Sequence, residues 1–194
     1  MAWVWWDRYS GFKLRFESKS PIHISDVWRL REKDVGQRRG LYRANVTVSK
    51  LERTHCPYVE GNKPPVVDDV WKAIIRDFVP KERVSFIPLD IQCKDGISDR
   101  YWWVNAHDSV RCIDPDRSDI YSKIEKPDIT LIFGADLYIH HDNCLGDKHL
   151  AYDEQMSTHL VLSDALRDAL AATGESSMFF RAENLPIGRD RSVH

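Results

Sequence analysis

Apolar residues recur at helical spacing between residues 65 and 78, which read PVVDDVWKAIIRDF. They lie three or four positions apart, so they share one face of an amphipathic helix. Asp68 and Asp69 fall in its first turn, where a carboxylate interacts favourably with the helix dipole, and Pro80 ends it. The next segment, RVSFIPLDI, predicts a strand. The apolar helix positions are Val67, Val70, Trp71, Ile74, Ile75 and Phe78.

The same order of patterns returns near the C-terminus, in HLVLSDALRDALAATG followed by SSMFF. Ser163 is placed as the N-cap of a second helix, Gly174 ends that helix, and the residues after it predict a strand. Val66 aligns with Val161, and the match continues along both helices at this constant offset of 95 residues. The weak repeat indicates two strand–helix–strand units, with chance similarity between amphipathic helices as the alternative.

Strand patterns dominate the rest of the chain. FKLRF and LYRANVTVS alternate apolar and polar residues, while YWWVNAHDSVRCID, DITLIFG and ADLYIHH are rich in β-branched and aromatic residues. The predicted fold class is α+β, with mostly antiparallel sheets and two principal amphipathic helices in two similar strand–helix–strand units. We expect a β-rich part over residues 1–60 and a second region over residues 61–194, in one compact unit overall.

The segment YWWVNAHDSVRCID contains residue types that serve hydrolytic and thiol chemistry. On a strand, His107 and Ser109 would share a more polar face while Asp108 points the other way. A Ser–His–Asp relay needs the acid behind the imidazole, so it is not predicted here. Cys112 falls on the apolar face and is expected to be a buried structural residue.

The densest set of possible metal ligands lies in IHHDNCLGDKH. His140, His141, Asp142, Cys144 and His149 could offer imidazole, carboxylate and thiolate groups. Adjacent histidines on a strand point to opposite faces, however, and no second ligand pair follows, so a polar loop without a metal is favoured. The alternative function is a small metal- or thiol-dependent enzyme that uses His140, His141 and Cys144, or Cys112.

Charge is distributed unevenly along the 194 residues, whose formal net charge is −2. Residues 1–113 hold 20 Lys and Arg against 15 Asp and Glu, a net of +5, whereas residues 114–154 hold 4 against 10, a net of −6. An acidic contact surface is therefore expected in the middle of the chain, with a solvated loop region as the alternative. Phosphate-binding glycine motifs are absent from the sequence, and nucleic-acid binding is not expected.

The cysteines predict a reducing environment. Cys56, Cys93, Cys112 and Cys144 are widely spread and form no CxxC pair. The opening MAWVWWDR is too short for the core of a signal peptide, and no apolar run approaches the ~18 residues that a membrane span requires. We therefore expect a cytoplasmic protein with reduced thiols and no membrane association.

Two helix motifs flank a central strand and turn, and the second helix motif begins at Val161 and Ser163. The central element consists of Tyr101, Val104, Asn105, Cys112, Ile113, Asp114 and Ser118. This ordered series resembles the eleventh immunity-protein family of bacterial polymorphic toxin systems, formerly a domain of unknown function. The resemblance covers roughly residues 60–185. The sequence departs from the family at Asp68, where Ser is frequent, and at Glu175, where a turn with Gly is frequent.

The resemblance implies a small cytosolic protein, without catalytic residues or a cofactor, that binds and neutralises a cognate toxin. A scaffold or adaptor domain without a toxin partner is a further alternative. Asp114 and Ser118 are expected to serve a turn, because Asp114 precedes a proline and Ser118 can bond to its backbone.

Many toxins of such systems attack nucleic acids and have basic clefts, so an acidic immunity surface would associate with them quickly. Trp or Tyr side chains are expected as buried anchors at that interface. The expected toxin contacts are Asp116, Asp119, Asp128, Asp142, Asp147 and Asp153.

Overall fold

The computed structural model describes residues 2–5, 12–22, 32–59, 64–156 and 159–185. The expected boundary at residue 60 lies outside these ranges. No helix within them is long and apolar enough to cross a membrane. The helices are α1 Glu32–Val35, α2 Val48–Leu51, α3 Asp69–Phe78 and α4 Asp164–Ala171, with a 3-10 helix at Ala182–Asn184. The strands are β1 Ala2–Trp5, β2 Leu14–Phe16, β3 Gly40–Ala44, β4 Val66–Asp68, β5 Val84–Gln92, β6 Ile97–Ala106, β7 Ser109–Val110, β8 Asp119–Lys126, β9 Ile129–Leu137, β10 Leu150–Asp153, β11 Leu160–Ser163 and β12 Phe179–Phe180.

The first sheet has the strand order β2-β3-β5-β6-β4, with β3 and β5 parallel and the other pairs antiparallel. Strand β6 is buried on both faces, since Tyr101 and Trp103 pack in one hydrophobic core and Val104 and Ala106 in another. The prediction of a more polar face for this segment is therefore wrong. The predicted single strand also divides, because β6 ends at Ala106 and the short β7 pairs in the other sheet.

The second sheet has the strand order β12-β1-β11-β10-β7. Strand β1, from the start of the chain, lies between β11 and β12 and is antiparallel to both. Its pairing with β11 runs from Ala2 opposite Ser163 to Trp5 opposite Leu160. The two ends of the chain therefore complete one sheet, which local sequence patterns do not reveal.

The two strand–helix–strand units share one topology. In the first unit β4 and β5 flank β6 and are antiparallel to it, and in the second β11 and β12 flank β1 in the same way. Both connecting helices begin at a side-chain cap, because Asp68 accepts from the backbone N–H of Trp71 and Ser163 from that of Leu166. The predicted pair of similar units and the α+β class are confirmed.

Aromatic rings pack the two units together. Trp71 of α3 meets Trp5 of β1 edge to face at 5.7 Å between ring centroids, and it stacks on Phe179 of β12 at 5.6 Å. Its indole N–H donates to Thr173 Oγ1, just after α4, at 2.9 Å. The fully buried Trp71 of the first unit therefore contacts β1 and β12 of the second sheet and the segment just after α4.

Glu175 adds a polar link in the same region. Its carboxylate accepts hydrogen bonds from the backbone N–H groups of His55, at 2.8 Å, and Cys56, at 3.2 Å. Glu175 thus ties the segment after α4 to the segment after α2.

Candidate functional site

The polar residues that follow β6 do not converge on a common reactive centre. His107 Nδ1 donates to the carbonyl oxygen of Glu82 at 2.9 Å, which leaves Nε2 to accept from Ser85 Oγ at 2.9 Å. Ser109 instead donates to the carboxylate of Glu154 at 2.6 Å. Ser85 is only 2% exposed, so its hydroxyl is shielded from a substrate. These bonds hold neighbouring strands together.

Asp114 organises the turn that leads into β8. Its carboxylate accepts from the backbone N–H groups of Asp116, at 3.1 Å, and Arg117, at 3.3 Å. Its carbonyl oxygen accepts from the hydroxyl of Ser118 at 2.6 Å, and that hydroxyl oxygen accepts in turn from the N–H of Ile139 at 2.9 Å. The predicted structural role of Asp114 and Ser118 is confirmed.

Strands β8 and β9 form a hairpin that is a two-stranded sheet of its own. Its base is anchored in a third hydrophobic core, in which Ile132 and Ala135 are 5% and 0% exposed. The pairing shifts register at three places between Asp119 and Lys123, and such irregularities increase the local twist of a hairpin. The described residues have six exposed large apolar side chains, and four are on this hairpin: Tyr121, Ile124, Phe133 and Leu137.

We call these four residues the hairpin patch. Ile124 lies directly opposite Leu131, so the two side chains share one face. Tyr121 is 66% exposed and its ring lies against Gly134, where an added Cβ would come within 2.5 Å of the ring. Phe133 is 61% exposed. The sequence analysis missed this patch because the apolar residues of β9 predict only a strand and do not show which of them is left uncovered.

Five of the six expected acidic contacts are exposed and lie in the hairpin or in the chain segments that precede and follow it. Asp116 is in the turn before β8, Asp119 begins β8, and Asp128 lies between β8 and β9. Asp142 and Asp147 lie in the connection from β9 to β10. Together with the hairpin patch, these five carboxylates make up what we call the hairpin surface.

Asp153 differs from the other five because it is the last residue of β10 and is only 1% exposed. One carboxylate oxygen accepts from the N–H of Gln155 at 2.9 Å. Burial raises the pKa of Asp153 to about 6, although the backbone N–H groups of Gln155, Cys112 and Met156 favour the carboxylate. A partner cannot reach this group in the folded protein, so Asp153 is not part of the hairpin surface.

Cys112 and Cys144 form a disulfide, so the expectation of reduced thiols is wrong for this pair. Cys112 is 0% exposed, as its apolar position predicted, but its partner 32 residues away could not be identified from spacing. The Cα atoms are 5.0 Å apart, which is within the usual range for a disulfide. Cys56 and Cys93 are not disulfide-bonded. The bond joins the segment before the hairpin to the segment after it.

His140 lies beside this disulfide. A ring nitrogen of His140 and the two sulfur atoms all lie within 4.8 Å of one another. Burial lowers the pKa of His140 to about 4, against smaller opposing effects of the Glu183 carboxylate and the Ala2 backbone. The imidazole is therefore neutral at pH 7.

The other expected metal ligands have separate surroundings. His141 Nδ1 lies 3.4 Å from the carboxylate of Asp114, and His149 Nδ1 lies 2.8 Å from Ser163 Oγ. Asp142 is exposed. Within the described residues, the structure thus brings Cys112 together with His140 and Cys144, and it leaves His141 outside that group.

A cavity of about 580 Å³ lies on the first sheet, beside β2, β3 and the end of β5. Its lining collects positive charge from distant parts of the sequence, so no local basic motif signals it. One of these side chains, Arg43, lies 3.0 Å from the carboxylate of Glu17. The cationic lining residues are Lys13, Arg15, Arg43, Lys50 and Lys94.

A model of the immunity protein family (Imm11) matches residues 51–183, well over half of the chain. The chain belongs to this immunity protein family. The Imm11 match includes α3, the hairpin, α4 and both cysteines of the disulfide. No curated protein matches the chain.

Membership of Imm11 places the protein in toxin immunity. The resemblance deduced from the motifs in β6, in the turn at Asp114 and around Ser163 is therefore confirmed. The hairpin surface lies within the matched residues, whereas part of the lining of the basic cavity, from Phe12 to Lys50, lies before them.

Proposed function

We propose that this Imm11 protein neutralises a cognate toxin by binding to it and covering its active site, without catalysing a reaction itself. The observation that carries the proposal is the hairpin surface, which combines four exposed apolar side chains of the hairpin with five exposed carboxylates in the hairpin and its flanking segments. Apolar and aromatic anchors with a polar rim are the usual anatomy of a protein–protein interface.

The anchors have the chemistry of binding hot spots. Tyr121 and Phe133 are both more than half exposed in the isolated chain, so a partner can bury most of each ring. Burial of large aromatic side chains dominates the affinity of many interfaces. Tyr121 also carries a hydroxyl that can find a hydrogen-bond partner at the edge of the contact.

The charge of the surface favours a toxin with a basic active site. Residues 114–154 carry a net charge of −6, and five of their carboxylates belong to the hairpin surface. A toxin that attacks nucleic acid needs cationic groups to hold phosphates. Opposite charge speeds the encounter of two proteins and fixes their relative orientation. We infer that the partner is a nucleic-acid-degrading toxin domain and that the two meet in the cytoplasm.

The alternative of a small metal- or thiol-dependent enzyme that uses His140, His141 and Cys144, or Cys112, has less support. His141 lies beside the carboxylate of Asp114 and outside the group formed by His140 and the two cysteines. Cys112 is buried and disulfide-bonded. In the described part of the chain these groups serve structural bonds, which fits a protein that acts by covering its partner.

Co-expression tests the function directly. The candidate toxins are the C-terminal domains of large proteins encoded beside this gene, each placed under an inducible promoter in a host that lacks the gene. We expect one such domain to stop growth alone and growth to resume when this protein is co-expressed. The proposal is contradicted if no toxic neighbouring domain is rescued, or if rescue occurs without a complex that co-purifies.

A further inference from the structure

The cluster of Cys112, His140 and Cys144 has the donor set of a zinc site. Two thiolates and one imidazole are ligands that Zn²⁺ prefers, and here their donor atoms lie within 4.8 Å of one another. The three residues come from separate segments on either side of the hairpin, because Cys112 follows β7 and the other two follow β9. Folding, and not local sequence, creates the cluster.

His140 differs from the other described histidines in its hydrogen bonding. Both of its ring nitrogens are buried, and the backbone of Ala2 is close enough to raise the pKa of the ring, which leaves at least one ring nitrogen without a hydrogen-bond partner in the described residues. His55, His107, His141 and His149 each have a side-chain partner within 3.4 Å. Buried polar groups usually have a partner, and a missing one calls for an explanation such as an ion. Coordination of a metal ion by His140 would be such an explanation.

We propose that, once the disulfide is reduced, Cys112, His140 and Cys144 bind one Zn²⁺ ion in a structural role. The disulfide and the zinc site exclude each other, because both use the same two sulfur atoms. A cytoplasmic dithiol supplies the electrons: its two thiols become a disulfide while the Cys112–Cys144 bond becomes two thiols. Zinc binding then releases the two thiol protons and leaves two thiolates on the metal.

The disulfide form and the zinc form would both join the segment before the hairpin to the segment after it. The disulfide closes a loop with a sequence separation of 32 residues that contains the whole hairpin, and a zinc ion held by the same cysteines would close it as well. Thiols stay reduced in the cytoplasm, where a disulfide at this place would be lost. The metal would therefore keep the base of the hairpin closed under reducing conditions. The inference rests on the proposed cytoplasmic location and does not depend on the identity of the toxin.

Metal analysis of the full-length protein tests the site. The protein is treated with a phosphine, which reduces the disulfide and is oxidised to its phosphine oxide with water as the oxygen source. It is then incubated with Zn²⁺ and desalted. We expect one zinc per chain in the reduced protein and none in the oxidised protein. Cobalt bound in place of zinc should show a thiolate-to-metal charge-transfer band, which reports cysteine ligation in the wild-type protein.

Variants assign the ligands. Cys112→Ser, Cys144→Ser and His140→Gln should each weaken zinc binding at least about tenfold. Cys56→Ser and His141→Gln are matched controls outside the cluster and should leave zinc binding unchanged. The proposal is overturned if the reduced wild-type protein binds no stoichiometric zinc, if its cobalt form lacks the charge-transfer band, or if binding survives in folded Cys112→Ser and Cys144→Ser proteins.

Discussion

Several polar side chains of this protein make structural hydrogen bonds, and the local sequence predicts only some of them. The bond from Ser118 to the carbonyl of Asp114 follows from local turn chemistry, and so does the cap at Ser163. The burial of Asp153 does not, because Asp153 lies opposite Val110 of β7, which is distant in the sequence. Long-range contacts of this kind decide which charged residues remain available to a partner.

Asp153 predicts a measurable dependence of stability on pH. The ordinary pKa of its carboxyl is 3.8, and burial raises it to about 6 in the folded state. Between these values the folded protein binds more protons than the unfolded chain, so the stability that the neutral carboxyl contributes below pH 3.8 is lost as the pH rises through 6. Asp153→Asn is neutral throughout and should remove this part of the pH dependence.

Urea unfolding of wild type and Asp153→Asn across this range checks the expectation. The variant should gain stability relative to wild type as the pH rises. Parallel curves for the two proteins would show that Asp153 titrates in the folded state as it does in the unfolded chain. Asp142→Asn, an exposed carboxyl of the hairpin surface, is the matched control.

At the scale of elements, the sequence predicted the helices α3 and α4. The two helices are equivalent in topology, and the side chains that cap their N-termini make equivalent contacts. Asp68 pairs with His55 at 2.8 Å, and Ser163 pairs with His149 at 2.8 Å. Both capping side chains therefore hold a helix N-terminus and a histidine from an earlier segment. The caps differ in charge and burial, since Asp68 is 3% exposed and Ser163 is half-buried.

The caps predict unequal losses of stability. Ser163→Ala should lower the free energy of unfolding by about 1 kcal/mol, the usual value of a capping bond. Asp68→Ala should lower it by about 2–4 kcal/mol, because the bonds of Asp68 to the helix and to His55 are almost fully buried whereas those of Ser163 are half-buried. Asp68→Asn keeps an oxygen for the cap and should fall between wild type and Asp68→Ala. Chemical denaturation measures all three, and equal losses for the two alanine variants would contradict the expectation.

Strand pairing was less predictable than helix position. The alternation in the segment around β6 suggested one polar face, but Asn105 is 1% exposed because cores lie on both sides of that sheet. Strand β1 contacts β11 across about 160 residues of sequence, a pairing that no local pattern encodes. The hairpin was predicted as two strands, and the exposure of Tyr121 and Phe133 emerged only from the packing.

The hairpin patch gives a prediction for binding. Tyr121→Ala and Phe133→Ala should each weaken the toxin complex by about 2 kcal/mol or more, roughly thirtyfold in Kd. Their unfolding free energy should change by less than about 0.5 kcal/mol, because both side chains are exposed. Ile97→Ala is the matched control, since Ile97 is 63% exposed but lies on β6, outside the hairpin. Calorimetric titration against the toxin found by co-expression measures these changes, and an equal loss at Ile97 would contradict a hairpin interface.

At the scale of the whole molecule, opposite charges collect on different elements. Cationic residues line the cavity on the first sheet, and five carboxylates belong to the hairpin surface. The sequence showed this separation as a charge difference between residues 1–113 and 114–154. It could not show the basic cavity, because folding brings its lining together from β2, β3, α2 and the end of β5.

Charge reversal tests the acidic rim. The triple variant Asp116→Lys, Asp119→Lys and Asp142→Lys should slow association with the toxin about tenfold or more at low salt, and the difference should shrink as salt screens the charges. The control variant Asp77→Lys, Glu82→Lys and Asp99→Lys changes the net charge equally at exposed positions outside the hairpin. Stopped-flow association rates that fall equally in the two variants would show that net charge alone, and not the hairpin surface, steers the encounter.

The most direct test of the central claim is a titration of toxin activity with this protein at concentrations well above Kd. An inhibitor that covers the active site should reduce activity in proportion to the amount added, reaching zero at one molecule per toxin. The same curve should be obtained after any length of preincubation. Complete inactivation by a small fraction of an equivalent, progressing with time, would show catalytic turnover and contradict the account.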